Sequence, residues 1–119
     1  MFVYYNINPE GKSIGDCVVR ALSLALGIDY YDAIESLIAN SEYFNCDMLV
    51  KECYSNMLDG LGFKRLRGNG YTVKEIAEQY YRDKLVIRID GHLTCSLYGD
   101  IYDIWNPSHE IVDEFWIIR

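Results

Sequence analysis

Leu85-Val86-Ile87-Arg88-Ile89-Asp90-Gly91-His92-Leu93-Thr94-Cys95-Ser96-Leu97-Tyr98-Gly99-Asp100-Ile101-Tyr102-Asp103-Ile104-Trp105 decides the fold class, because its apolar period is that of strands. Leu85, Ile87 and Ile89 alternate with Val86 and Arg88, the pattern of a largely buried strand that ends at the Asp90-Gly91 turn. His92 to Tyr98 reads as the next strand, Gly99-Asp100 as a hairpin turn and Ile101 to Trp105 as the returning strand. Val112 to Ile118 makes one more. Along the middle strand Leu93, Cys95 and Leu97 alternate with His92, Thr94 and Ser96, which predicts one apolar face and one more polar face.

Upstream of Asp83 the period is helical. Thr72 and Glu75 stand three apart ahead of Ile76, Ala77 and Tyr80, a capping box at the start of a helix. Leu49, Val50, Cys53, Tyr54, Met57 and Leu58 share one helical face that begins near Cys46 and ends at Gly60 and Gly62. Tyr30, Ala33, Ile34, Leu37 and Ile38 form another after Asp29. Val18, Ala21, Leu22, Ala25 and Leu26 form a third between Asp16, placed as N-cap, and Gly27, placed to stop the helix. Phe2 to Tyr5 can be a short strand, and Pro9, Gly11 and Gly15 make the following segment a loop. The aromatic run Ser41-Glu42-Tyr43-Phe44 is expected to pack between the second and third helices. Helices first and an antiparallel sheet second is an α+β plan, and 119 residues suit a single domain, 1–119, around one core.

Composition narrows the partners. The formal charge is −7, with 11 Lys and Arg against 18 Asp and Glu, which argues against nucleic acid because phosphate binding needs clustered cations. The densest basic group, Lys64, Arg65 and Arg67, reads as a solvated turn. No apolar run approaches the ~20 residues of a membrane span, so no membrane partner is expected. The opening Met1-Phe2-Val3-Tyr4-Tyr5 lacks the pattern of a secretory signal. A cytoplasmic protein with free thiols is the expectation. The four cysteines offer no Cys-x-x-Cys spacing, so no metal or other cofactor is expected. Cys46, Cys53 and Cys95 fall on apolar faces and read as packing residues.

Cys17 is different, because a helix N-terminus favours the thiolate through its free N–H groups and dipole. Asp16 beside it opposes that charge unless its carboxylate turns away to cap the helix. Of the two histidines, His92 opens a strand, while His109 lies in a Pro-Ser loop and is the weaker candidate base. A base needs a partner that orients its ring. With Gly99-Asp100 as the turn, Pro107 faces His92 and Asp103 faces Ser96, roughly 13 Å along the strand. Asn106 is therefore the preferred partner on distance, and Asp103 the alternative on side-chain direction. A bulge or a three-residue turn that shifts the register by one place would turn Asn106 to the histidine's face.

Gly15-Asp16-Cys17-Val18-Val19-Arg20-Ala21, Gly91-His92 and Tyr102-Asp103-Ile104-Trp105-Asn106, in this order, resemble the motifs of small papain-like cysteine peptidases. The arrangement is also similar to the peptidase domains of bacteriocin-exporting transporters and to small papain-like proteins of bacteriophages. The resemblance spans about residues 8 to 116. It implies a papain-like fold with Cys17 as nucleophile, His92 as general base and acid, and Asn106 standing where the phage-type proteins carry aspartate. It also implies that Trp105 shields the imidazole and that a polar side chain upstream of the cysteine stabilises the oxyanion. No glutamine precedes Cys17, so Asn8 is the candidate donor, with Lys12 and Ser13 behind it. The expected function is a small cysteine hydrolase acting on a peptide, isopeptide or related amide bond of a peptide or protein substrate. The competing expectation is a catalytically silent, phage-encoded binding protein that captures a host protein or a small signalling molecule.

Overall fold

The structure is a computed structural model that describes residues 1–12 and 15–119. Its sheet is built around β3 (Lys84–Ile89), which pairs antiparallel with β4 (His92–Leu97) on one side and with β6 (Glu114–Ile118) on the other. β5 (Asp100–Asp103) follows β4, and β1 (Phe2–Tyr4) and β2 (Lys64–Arg67) form the two edges, giving the order β1-β5-β4-β3-β6-β2. The described residues thus form an α+β fold of four helices and one six-stranded sheet.

The sheet differs from the expected one in two places. β1 lies parallel to β5, with Val3 opposite Tyr102, so the sheet is mixed rather than antiparallel. Nearly the whole chain separates these two strands, and a long connection is what a parallel pair requires. Lys64 to Arg67, expected as a turn, is an edge strand paired with β6. Its charges suit an edge, where they discourage pairing with a further chain. Arg65 also donates to both carboxylate oxygens of Glu114, at 3.0 and 2.7 Å, and lies 5.2 Å from the Trp116 ring centre.

Both faces of the sheet are covered. α1 (Cys17–Leu26), α2 (Tyr30–Phe44) and α3 (Lys51–Gly60) share one core cluster with Val86, Leu93, Cys95, Trp116 and Ile118. α4 (Val73–Gln79) packs on the opposite face against Leu85, Ile87, Ile101, Phe115 and Ile117. The helices are therefore not all on one side, and the second face of β4 is not a solvent face. Thr94 and Ser96 are buried there at 1 % and 0 % exposure.

The helix boundaries follow local chemistry. Gly27 ends α1 in the left-handed conformation, Asp29 accepts the Tyr31 N–H at the start of α2, and Thr72 and Glu75 form the full capping box of α4. α2 runs on through Ser41 to Phe44, whose rings are exposed at its end instead of lying between helices. α3 begins only at Lys51, because Asp47 accepts the N–H of Leu49 and holds residues 47–50 in a turn. That turn folds Cys46 back onto Cys53 in a disulfide, so these two are not the free packing thiols expected; Cys17 and Cys95 are the free ones.

The β4–β5 register matters most for the site. The central residues of the hairpin turn are Tyr98 and Gly99, both at positive φ (53° and 91°), not Gly99 and Asp100. Two-residue hairpins favour such turns because their twist matches that of the strands. Gly99 also sits where an added Cβ would come within 3.2 Å of the Tyr81 Cβ. With Leu97 opposite Asp100 and Ser96 opposite Ile101, the register moves two places from the expected one. An even shift leaves every side chain on its face. It carries Asp103 from opposite Ser96 to opposite Thr94, a diagonal neighbour of His92.

Candidate active site

Three elements converge at one end of the sheet: the first turn of α1, the start of β4 and the end of β5. Cys17 is the first residue of α1, His92 the first of β4 and Asp103 the last of β5. Diagonal partners on adjacent strands are ~7–8 Å apart, within reach of an imidazole and a carboxylate. The His92 Nε2 lies 2.7 Å from the Asp103 Oδ2. Cys17 and His92 line the same cavity and act on each other electrostatically, and with Nε2 taken by Asp103 the nitrogen left for the thiol is Nδ1. A carboxylate only accepts, so Nε2 carries the hydrogen and Nδ1 is the nitrogen left to exchange a proton with the thiol.

The electrostatics follow from this chain of contacts. Burial pushes the Cys17 thiol up, but the His92 hydrogen bond, the Leu93 N–H and the charges of His92 and Arg20 outweigh it and hold it below its ordinary 9.0. Burial works against the charged form of His92 as well. The hydrogen bonds to Asp103 and Cys17 prevail and raise it to about 9. Burial disfavours the Asp103 carboxylate too, but the His92 hydrogen bond and charge and the Ile104 N–H leave its pKa below the usual range. All three directions favour a thiolate–imidazolium pair backed by a carboxylate. Trp105 tilts against the imidazole with ring centres 4.7 Å apart, covering one side of it.

Asn106, the preferred orienting residue, does not meet His92. Its Oδ1 accepts from the N–H and hydroxyl of Ser108, the local turn that an Asn-Pro-Ser sequence favours. It lines a separate cavity with His109, the weaker candidate base. The required register shift is even, not odd, so Asp103 keeps the histidine's face and Asn106 does not acquire it.

Asn8 is not an oxyanion donor in this arrangement. Its amide N–H groups are taken by the Asp16 Oδ2 at 3.1 Å and the Tyr30 hydroxyl at 3.3 Å. Lys12 pairs with Glu10 at the surface, and Ser13 lies outside the described residues. Asp16 is the N-cap of α1, but its side chain makes no cap hydrogen bond. It turns instead to Arg20, Tyr30 and Asn8. The first N–H groups of α1 are thereby left without that cap beside the Cys17 sulfur.

Arg20 is the residue that sequence reading passed over. Only 5 % exposed, it pairs with Asp16 through Nη1, and its Nη2 lies 3.6 Å from the Asp103 Oδ1. It neutralises the carboxylate that would otherwise oppose a Cys17 thiolate, and it backs the carboxylate that orients His92. The four-residue spacing of Asp16 and Arg20 on one helix was the available signal.

The thiol opens into a cavity of about 240 Å³ lined on its apolar side by Val18, Leu49, Tyr54 and Ile89. Among the described residues no group of His, Cys, Asp and Glu side chains is placed to hold a metal ion, and no helix is long and apolar enough to cross a membrane. Comparison with family models, with curated proteins and with solved structures found no match to this chain.

Proposed function

We propose that the protein is a small papain-like cysteine hydrolase that cleaves a peptide, isopeptide or related amide bond, with Cys17, His92 and Asp103 as its triad. The observation that carries this reading is one imidazole that lines a cavity with the Cys17 thiol and bonds the Asp103 carboxylate through its Nε2. A buried structural cysteine needs neither neighbour.

In the proposed reaction the Cys17 proton passes to His92 Nδ1 and the thiolate attacks the amide carbonyl carbon. The negative oxygen of the tetrahedral intermediate is stabilised by the Cys17 N–H and its neighbours at the uncapped start of α1. The intermediate collapses as the imidazolium gives its proton to the departing nitrogen, leaving a thioester and a free amine. Water then attacks the thioester while His92 takes its proton, and the acid is released as that proton returns to the sulfur. Asp103 holds the ring so that Nδ1 faces the thiol throughout. Cytoplasmic location and phage origin belong to the same proposal. Cys17 has no disulfide partner in this structure.

The test is alkylation of the native protein with iodoacetamide at neutral pH, followed by peptide mapping, and in parallel a screen of fluorogenic peptide and isopeptide amides. Selective modification of Cys17 that is lost in His92→Ala is expected, with hydrolysis abolished in Cys17→Ala. Indifference of the Cys17 rate to His92→Ala would overturn the reading. Retention of biological effect in Cys17→Ala would instead favour the silent binding protein.

A further inference from the structure

Charge around the Cys17 cavity runs opposite to that of the chain. The sequence carries 18 acidic and 11 basic residues, yet among the described residues the cavity is lined by Lys51, Arg88 and His92 and by no carboxylate. Lys51 and Arg88 also line a second cavity of about 350 Å³, where Arg65 adds a third cation against the single Glu52. Lys51 and Arg88 line both cavities, so we treat the two as one groove that starts at the Cys17 sulfur.

The two cations are presented differently. Lys51, on the first turn of α3, is exposed and makes no ion pair among the described residues. Arg88, on β3, is held at 2.8 Å from both the Asp113 Oδ2 and the Glu114 Oε1, each time through Nη2. Glu114 is itself shared with Arg65. Both pairs are made through Nη2, so they orient the guanidinium without engaging Nη1, while the Nε is buried with no acceptor among the described residues. A guanidinium fixed by carboxylates on one terminal nitrogen, with the other outside those pairs, is suited to a further carboxylate.

We infer that the groove binds a carboxylate of the substrate beside the scissile amide, with Arg88 and Lys51 as specificity-determining residues. This inference rests on the proposed reactivity of Cys17 and names the substrate class: an amide with an acidic side chain near the bond, or one ending in a free C-terminal carboxylate. The cations are placed to favour such a chain over its neutral isostere in a protein whose overall charge would repel it.

Two peptidyl vinyl sulfones that differ only in glutamate or glutamine next to the warhead test the side-chain source. An acetylated tripeptide, as free acid or as carboxamide, used to protect Cys17 from iodoacetamide, tests the C-terminal source. The acidic member of at least one pair is expected to act about tenfold more strongly at low salt, with the ratio falling as salt is raised. Within each variant the acid-to-amide ratio is its own control. It should fall toward one in Arg88→Gln and, where that variant fails to fold, substantially in the exposed Lys51→Gln. Equal action of acid and amide in both pairs, or a ratio unchanged in Lys51→Gln, overturns the inference. Rapid iodoacetamide labelling of Cys17 with no acidic preference removes only the inference, whereas loss of that labelling removes the catalytic reading beneath it.

Discussion

Cys17 and Cys95 are the two free thiols, and their surroundings send them in opposite directions. Cys95 lies in the middle of β4, fully buried among apolar side chains, with the Tyr102 carbonyl oxygen at 3.7 Å to receive its S–H. Burial, and then the Asp103 charge, push its pKa up to about 12. Cys17 meets burial as well, but it stands at a helix terminus beside an imidazole whose far nitrogen is held by a carboxylate. The contrast separates a packing cysteine from a candidate nucleophile by what each thiol touches. Both belong to, or pack against, the same core cluster.

The most severe way to break the contrast is to remove the charge beneath it. Arg20→Met leaves the Asp16 and Asp103 carboxylates buried without their shared cation, and is expected to cost about 3–5 kcal/mol of stability in urea unfolding. A loss below about 1 kcal/mol would mean that Arg20 is not the anchor of this network.

Next in size is the reactivity ratio itself. Thiolate fraction falls tenfold per pKa unit, and the higher nucleophilicity of the weaker acid offsets about half of that. With Cys95 at about 12 and Cys17 below 9.0, Cys17 should alkylate at least ~30-fold faster at neutral pH before access is counted. Both should react alike in denaturant. The pH midpoint of Cys17 alkylation is expected below 9.0 and should move upward in His92→Gln, where burial loses its largest opponent. A midpoint that stays in place would remove the ion pair from the account.

The smallest effects sharpen the assignment of the orienting group. Asp103→Asn removes the leading influence that raises His92, so the imidazole should titrate below its native value of about 9, moving toward 6.5, in an NMR pH series. The imidazolium is then lost earlier as pH rises, and the alkaline limb of Cys17 alkylation should shift down with it. Asn106→Ala breaks only the local turn to Ser108 and should leave the His92 titration and the alkylation rate within about twofold. The reverse ranking would restore Asn106 as the partner.

Much of the architecture is legible in local chemistry. The capping box at Thr72 and Glu75, the Asp29 cap and the glycine that stops α1 are short-range devices, readable wherever they occur. The strand period between Leu85 and Trp105 is equally local. The Lys64–Arg67 edge strand escaped notice because its pairing partner lies near the other end of the chain and its own side chains are charged. The Cys46–Cys53 disulfide was hidden by a helical period that continued through residues the Asp47 turn keeps out of the helix.

The sequence alone determined that one cysteine would stand at a helix start, that one histidine would open a strand, and that an acidic or amide side chain would follow on the next strand. Each of these depends on interactions within a few residues. Tertiary structure decided which side chain meets the histidine, because a two-place difference in where the hairpin turns moves Asp103 along the sheet by the distance that separates contact from none. It also decided that Arg20 would bind two carboxylates at once, and that cations would gather beside Cys17 in an acidic chain. Those outcomes join residues far apart in sequence, and a period read along one segment holds no information about where another segment will lie.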